Sequence, residues 1–429
     1  MRFYPITQVT QSPLAGDSAP AKEATFSFSC LSKIFVRPDC LRGLCVTSVV
    51  MVVLLFLLSG CQHQKISAVQ ENELLQKACA YLWNQQSTDG GWHSETHGIM
   101  RGGESLSPFI LHTLLQVPQN IYPASELQIE RGLNFIRKHV NADGVIGLSD
   151  PDVVDYPNYA TAHALLVLKQ VKQSQDKALI RKMSQYLISQ QFTEARGFTP
   201  DDAAYGGWGF GETNLTDRQT GHIDLSHTRR ILQALRGCNG YKKIQKKARY
   251  YLSLTQKMPT DSRLHPTNTP HEKILFDGGF FASPITLSTN KGGIATDSIL
   301  NSNYFRSYAT ATCDGILGLL ASGFEIKDDE VQAAVDWLSK NSLWAFPQGI
   351  PLDDPDQWHE VLFYYHLAVR SEAYSKLNQS DLWSMKVYEL LSCRQQGDGR
   401  FFNPMGGPNK EDDPLLATAF AVIALNNCR

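Results

Sequence analysis

The stretch QQSTDGGWHS, residues 85–94, decides the fold. It follows an amphipathic segment at 71–86, ENELLQKACAYLWNQQ, whose apolar residues recur at helical spacing. A more uniformly apolar segment, SLSPFILHTLLQV at 105–117, comes after the glycine-rich turn. The sequence therefore predicts a helical hairpin in which the second helix is more deeply buried than the first.

The same unit recurs along the chain, with an amphipathic helix, a turn and an apolar helix each time. The further pairs are 126–140 with 158–171, 177–191 with 224–237, 242–257 with 305–323, 328–341 with 358–377, and 381–396 with 413–428. Half-exposed helices that alternate with fully buried ones indicate an outer and an inner layer. The pattern predicts an all-α array of about six hairpins, although periodicity alone also permits an open solenoid.

Four segments carry a family resemblance. Residues 86–92 fit the QW motif (glutamine, three residues, glycine, one residue, tryptophan), and 396–401 looks like a degenerate copy. The segments YGGWGFG at 205–211 and DPLLATAFAVIAL at 413–425 are similar to prenyltransferase and squalene-oxidase repeats. Residues 71–429 thus resemble the squalene/hopene cyclase and protein prenyltransferase β-subunit superfamily, and in particular its secreted bacterial branch. The resemblance implies a closed (α/α)6 toroid.

The N-terminal part of the chain looks like an export signal. Residues 45–60, CVTSVVMVVLLFLLSG, form an apolar run that is short for a membrane span. The run ends in Leu58-Ser59-Gly60-Cys61, which resembles a bacterial lipobox, whereas a plain membrane anchor is the alternative. We therefore expect a leader at 1–60, a polar tether at 61–70, and a lipid on Cys61 that attaches an exported protein to a membrane. Gln62 after the cysteine resembles Gram-negative lipoproteins of the outer membrane, facing the periplasm.

The residues that carry chemistry in the resembling enzymes are missing. Class II cyclases use a DxDD motif, and the nearest stretches here are 150–152 (DPD) and 353–356 (DDPD). Prenyltransferases hold zinc with Asp, a Cys two residues later and a distant His, whereas Cys313 directly precedes Asp314 here. A zinc site that also uses His359 is conceivable but not favoured, because Cys313 fits a buried apolar position.

Polar residues do cluster where the inner helices begin, at one end of the expected toroid. Carboxylates and imidazoles at this end could perform acid–base catalysis. The alternative for the aspartates is N-capping, for which Asp is strongly preferred. The predicted catalytic residues are Asp224, His227, Asp353, Asp354 and His359.

Aromatic side chains in the same regions are candidates for lining an apolar cavity, where they could stabilise a cationic ligand. Packing in the core is the alternative for each of them. The predicted cavity residues are Tyr156, Tyr205, Trp208, Tyr308, Trp358 and Tyr365.

Charge and motifs together restrict the function classes. The 40 basic and 42 acidic residues give a net charge of −2, which argues against a nucleic-acid partner. The resemblance implies an apolar, isoprenoid-type ligand in the central cavity, either bound or transformed. A carbohydrate-active (α/α)6 enzyme with cavity carboxylates and a non-catalytic scaffold remain open alternatives.

Overall fold

A computed structural model describes residues 68–216, 218–263, 269, 274–299, 301–379 and 382–429. The predicted leader at 1–60, the predicted lipidation site Cys61 and the start of the predicted tether lie outside these residues. No helix within these ranges is long and apolar enough to cross a membrane.

Helices dominate the described residues, and one short hairpin of two strands interrupts them. In chain order the elements are α1 Ala68–Asn84, α2 Leu106–Leu115, α3 Glu126–His139, α4 Pro157–Val171, α5 Lys177–Ser189, α6 Leu225–Leu235, α7 Tyr241–Thr255, β1 Ile294–Asp297, β2 Ser302–Phe305, α8 Ala309–Ala321, α9 Asp329–Lys340, α10 Trp358–Val361, α11 Phe363–Lys376, α12 Leu382–Ser392 and α13 Pro414–Asn427. These bounds agree with the predicted hairpins to within a few residues at most helix ends.

The helices form two concentric rings, and the inner ring closes. Each of α2, α4, α6, α8, α11 and α13 packs against the next one, and α13 packs back against α2. The outer helices α1, α3, α5, α7, α9 and α12 cover them. On α5, for example, Met183 and Leu187 are fully buried while Lys177 and Arg181 are exposed. The predicted all-α (α/α)6 toroid is therefore confirmed, and the ring is closed rather than an open solenoid.

The glycine-rich turn at 85–94 links one hairpin to the next. Gln86 Nε2 donates to the carbonyl oxygens of Gly90 (3.0 Å) and of Gln128 on α3 (2.9 Å). Trp92 is fully buried, and its Nε1 donates to Leu82 O at 2.6 Å. Gly90 has φ +94°, and a Cβ there would collide with the next outer helix. The motif thus fixes the turn and joins neighbouring outer helices.

Three other glutamines make the same double contact with their own turn and with the next outer helix. They are Gln191 (to Gly206 O and Ile244 O), Gln256 (to Gly278 O and Glu330 O) and Gln395 (to Gly399 O and Leu74 O). The last contact joins α12 to α1. The degenerate motif was therefore predicted one residue out of register, because Gln395 is the linking residue and Gln396 is exposed.

A hydroxyl group on the inner helices completes most of these turns, which the sequence analysis did not predict. In each case the hydroxyl oxygen accepts a backbone N–H from the turn that precedes its helix, at 2.8–3.2 Å. The residues are Ser107, Thr161, Thr228, Thr312 and Thr418.

Two inner helices differ from their predicted limits. The helix predicted at 305–323 begins at Ala309, because Phe305 belongs to β2, which pairs antiparallel with β1. The helix predicted at 358–377 is divided at Leu362 into α10 and α11. Both changes lie at the same end of the toroid, next to the cavity described below.

Candidate functional site

A cavity of about 420 Å³ opens at the end of the ring where the inner helices begin. Leu106, Leu225, Ala311 and Leu416, from the first turns of four inner helices, contribute to its wall. Eight aromatic residues also line it, and they give the cavity a largely apolar surface. They are Phe109, Tyr156, Tyr159, Phe210, Tyr308, Trp358, Tyr365 and Phe420. This volume lies in the range of small-molecule sites in proteins.

Asp224 and His227 form a buried pair in the cavity wall, at the start of α6. Asp224 Oδ1 accepts the backbone N–H of His227 at 2.9 Å and lies 2.9 Å from His227 Nδ1. The carboxylate therefore caps the helix and orients the imidazole at the same time. Since Nδ1 is the donor to this acceptor, Nε2 of the neutral ring is left as an acceptor. Nε2 is buried and has no hydrogen-bond partner among the described residues.

His222 contacts the second oxygen of the same carboxylate. His222 Nε2 lies 3.0 Å from Asp224 Oδ2, and the His222 ring stacks on Phe210 with 3.7 Å between ring centroids. Burial raises the pKa of a carboxyl group, but the two imidazoles outweigh this effect and hold the pKa of Asp224 well below its usual range. Asp224 therefore stays ionised and cannot serve as a proton donor at neutral pH.

The floor of the cavity is a buried network of charged groups. Arg229 Nε donates to Asp314 Oδ1 at 2.6 Å, and Tyr365 Oη donates to Asp314 Oδ2 at 2.7 Å. Arg229 Nη1 also donates to Glu372 at 2.8 Å, which links α6 to α11 across the ring. Burial raises the pKa of Asp314 despite the adjacent guanidinium of Arg229.

Two lysines lie over aromatic rings of the cavity wall. Lys291 Nζ is 3.3 Å from the centroid of the Trp358 ring, and Lys410 Nζ is 5.5 Å from that of Tyr156. Burial lowers the pKa of Lys291 to about 8, although the carboxylates of Asp356 and Asp354 oppose the shift. Ammonium groups in such positions gain cation–π stabilisation.

The backbone is strained at three positions around this cavity. Tyr156 (φ 46°), Gln357 (φ 52°) and Lys410 (φ 63°) all adopt the left-handed conformation that favours glycine. Tyr156 and Lys410 line the cavity, and Gln357 directly precedes Trp358. The strain therefore coincides with the residues that shape the cavity wall.

The structure brings together six of the eleven predicted site residues. Asp224, His227, Tyr156, Tyr308, Trp358 and Tyr365 all line the one cavity. Asp224 also caps α6, which was the alternative for the predicted aspartates, and Asp413 caps α13 in the same way.

The other five predicted residues do not line the cavity. Asp353 is exposed, and Asp354 accepts the backbone N–H of Trp358 at 3.1 Å. His359 lies on α10 and approaches Glu360 at 4.0 Å. Trp208 Nε1 donates to Leu187 O at 2.7 Å, which repeats the role of Trp92. Tyr205 donates to Glu194 at 2.6 Å on the outer side of the turn.

The sequence analysis missed several charged groups at the cavity, namely His222, Lys291, Lys410, Arg229 and Asp314. A signal existed for two of them. Arg229 and Asp314 are charged residues on helices predicted to be in the inner layer, where buried charges are usually paired. The lysines come from loops whose course the sequence does not reveal.

The described residues contain no cluster of three His, Cys, Asp or Glu side chains that could hold a metal ion together. Cys313 is fully buried, and burial raises the pKa of its thiol to about 12. His366, which the sequence places near His359, is also fully buried.

Solved structures with the same architecture were found by comparison, whereas no protein-family model and no curated protein matches the chain. The type II terpene cyclase MstE from Scytonema is 12% identical, with a TM-score of 0.51, covering 83% of this chain and 98% of that one. The GH76A alpha-1,6-mannanase from Salegentibacter sp. HEL1_6 is 10% identical, with a TM-score of 0.50, covering 83% of this chain and 98% of that one. At these identities the likeness establishes the fold alone. The chain therefore has the (α/α)6 toroid fold that terpene cyclases and these mannanases share.

Proposed function

We propose that the toroid binds an apolar, isoprenoid-type ligand in its ring cavity, and that His227 acts on this ligand as a general base. The observation that carries the proposal is the buried Asp224–His227 pair, which belongs to the wall of an aromatic-lined cavity and whose Nε2 has no partner among the described residues. The structural likeness to a terpene cyclase agrees with an apolar ligand but does not establish one.

The chemistry of the pair follows from its geometry. A ligand proton would pass to His227 Nε2, and the adjacent Asp224 carboxylate would stabilise the imidazolium that forms. Because Asp224 is already held by His222, His227 and the helix start, it orients the base and is not itself the base. The aromatic wall lowers the local dielectric constant and so strengthens these electrostatic interactions.

The ligand can be tested by mass spectrometry of the organic extract from the purified full-length protein. We expect one apolar compound class in stoichiometric amount. The comparison variant is Ala311→Phe, which fills part of the cavity with a phenyl ring from a buried position on α8. This variant should fold, as checked by its thermal transition, and should lose the compound. An extract without a retained apolar compound, or equal retention by the variant, would contradict the proposal.

A specific observation also favours a second candidate, a glycan-cleaving activity. Asp224 and Asp314 line the same cavity, and their surroundings move their pKa values in opposite directions. In glycosidases, two carboxyl groups whose pKa values are shifted apart in this way act as a base and an acid. The test is release of reducing sugar from α-1,6-mannan, the polymer cleaved by the structural neighbour. Asp314→Asn should abolish the release if this candidate is correct.

We further propose that the protein is exported and anchored to a membrane by a lipid on Cys61. The support is the sequence at 45–61, which lies outside the described residues. Metabolic labelling with a fatty acid, followed by membrane fractionation, tests this. Cys61→Ser should remove the label and release the protein, whereas a labelled variant would contradict the proposal.

A further inference from the structure

Two buried polar atoms of the cavity-lining residues lack a partner among the described residues. They are His227 Nε2 and Thr310 Oγ1, on residues that are only 8% and 2% exposed. Two other hydroxyl groups of cavity-lining residues have partners. Thr289 Oγ1 donates to Thr286 O at 2.7 Å, and Tyr308 Oη donates to Thr289 O at 3.0 Å. Buried polar atoms without hydrogen-bond partners are rare and energetically costly, so these two atoms mark a place where a polar group of a ligand would bind.

The two atoms sit on neighbouring helices of the inner ring. His227 is in the first turn of α6 and Thr310 in the first turn of α8, and these helices pack together. Thr310 precedes Asp314 by one helical turn, so both lie on the same face of α8. The Arg229–Asp314 ion pair joins the same two helices one turn further along α8. His227 and Thr310 thus belong to one part of the wall.

Their hydrogen-bonding characters are complementary. His227 Nε2 is an acceptor, because Nδ1 donates to Asp224, whereas the hydroxyl of Thr310 has a proton to donate. One hydroxyl group on a ligand has one proton to give and lone pairs to receive, so it can satisfy both atoms at once. A hydrocarbon or an ether cannot donate to Nε2, and neither can a carboxylate.

We propose that the ligand is an apolar alcohol whose hydroxyl group donates to His227 Nε2 and accepts from Thr310 Oγ1. This inference rests on the proposed function, since it names the polar group of the ligand in the same cavity. In this hydrogen bond the hydroxyl proton points at Nε2, the atom that acts as the base in the proposed function.

The experiment compares four ligands with one carbon skeleton: farnesol, farnesyl methyl ether, farnesoic acid and the hydrocarbon farnesene. Their affinities for the full-length protein are measured by displacement of a fluorescent apolar probe. We expect farnesol to bind about three- to tenfold more tightly than the ether, which is the effect of one net hydrogen bond. Thr310→Val keeps the shape of the side chain and should abolish most of this preference.

Thr289→Val is the matched control, because it removes a cavity hydroxyl that already has a partner. It should leave the preference for farnesol unchanged. Thr310→Ser retains the hydroxyl, so it should keep the preference, which separates loss of the contact from misfolding. Thermal transitions of all variants report whether they are folded.

The outcomes distinguish the two proposals. If the hydrocarbon and the alcohol bind equally well, or Thr310→Val retains the preference, the cavity still binds apolar ligands and the hydroxyl inference is wrong. Tighter binding of farnesoic acid would also overturn it, in favour of a head group near the lysines. If the folded protein binds none of the four, the proposed function itself fails and the inference falls with it.

Discussion

At the scale of single residues, Asp224 determines which nitrogen of His227 carries the proton. In Asp224→Ala the carboxylate oxygen that accepts both the backbone N–H and the Nδ1 proton of His227 is lost. With no carboxylate to hold the proton on Nδ1, we expect the tautomer to reverse, with the proton on Nε2. The ¹⁵N chemical shift of His227 Nε2, in protein labelled with [¹⁵N]histidine, should move from the unprotonated to the protonated range. An unchanged shift would mean that the carboxylate does not orient the ring.

Glu411 gives a second prediction, which concerns pH. Its carboxylate accepts the backbone N–H groups of Tyr364 and Tyr365 at the start of α11, both at 2.8 Å. Burial raises the pKa of Glu411 from 4.5 to about 7 despite these hydrogen bonds. A raised carboxyl pKa means that the folded state retains the proton more tightly. This contribution to stability is complete below about pH 4.5 and is lost as the pH rises through about 7.

Urea unfolding of the wild type and of Glu411→Gln between pH 5 and pH 8 measures this effect. The free energy of unfolding of the wild type should fall relative to that of the variant by on the order of 3 kcal/mol across this range. Parallel pH curves for the two proteins would contradict the assignment. Loosening near pH 7 would matter for the cavity, because the loop that contains Glu411 also contributes Asn409 and Lys410 to the wall.

Sequence reasoning located Asp224 and His227 because a capping aspartate and a histidine three residues later share one helix start. It also predicted Asp353, Asp354 and His359 at the cavity, which these residues do not line. Asp353 and Asp354 lie in the loop that precedes α10, and on α10 itself Trp358 rather than His359 contributes to the cavity wall. A hydropathy pattern does not reveal a break inside a polar–apolar segment.

At the scale of elements, the linking glutamines make a sharp test, because the chain offers an adjacent control. Gln395 Nε2 donates to Leu74 O and so joins the end of the last outer helix to α1, whereas the side chain of the exposed Gln396 donates to Arg394 O of its own turn. We expect Gln395→Ala to lower the free energy of unfolding by about 1–3 kcal/mol, the cost of unsatisfied buried carbonyls. Gln396→Ala should change it by less than about 0.5 kcal/mol. Equal losses of unfolding free energy in the two variants would favour the register predicted from the sequence, in which the motif begins at Gln396.

Helix positions were well predicted, since alternating amphipathic and apolar segments depend on burial alone. The β1–β2 hairpin was not, because Ile294–Asp297 and Ser302–Phe305 are too short to show a period of their own. The hydroxyl contacts to the turns escaped as well. On an inner helix, Ser107 or Thr228 looks like an ordinary small residue. Its role becomes apparent only when the position of the turn whose backbone N–H it accepts is known.

At the scale of the whole molecule, the Arg229–Glu372 ion pair joins two inner helices, α6 and α11, that are not direct neighbours in the ring. The guanidinium of Arg229, with help from Arg230, holds the pKa of the buried Glu372 carboxyl at about 2 against the effect of burial. Removing the Glu372 carboxylate leaves Arg229 with Asp314 alone and takes away the carboxylate beside Arg230, so the buried positive charge is only partly compensated. Glu372→Gln should therefore lower the free energy of unfolding by about 3–5 kcal/mol at neutral pH. Glu325→Gln, in the exposed pair with Lys327, should change it by less than about 0.5 kcal/mol.

The same pair has a pH signature of opposite sign to that of Glu411. A depressed carboxyl pKa contributes stability that is present above about pH 4.5 and is lost as the pH falls towards 2. Acid unfolding curves of the wild type and Glu372→Gln should converge in this range. If the gap stays constant down to pH 2, the carboxylate is not the source of the effect.

Ring closure was the step that periodicity left undecided and that the resemblance implied. Six similar hairpins give the same sequence pattern in a solenoid and in a ring. The closing contacts connect α13 with α2 and Gln395 with α1, and they join residues more than 300 positions apart. No local pattern encodes such a contact.

The contact of Gln395 with α1 makes the first and last hairpins neighbours like any other two, so the ring has no structural beginning. Arg429 also donates to Asn72 Oδ1 on α1, which places the residue after α13 beside the first helix of the ring. A circular permutant of residues 68–429, joined by a short glycine–serine linker and opened between Ile326 and Lys327, should therefore fold. The cut lies in an exposed loop outside the cavity, where Lys327 is 81% exposed. Its circular dichroism and probe binding should match those of the original order, because in a closed ring sequence order and spatial order are independent.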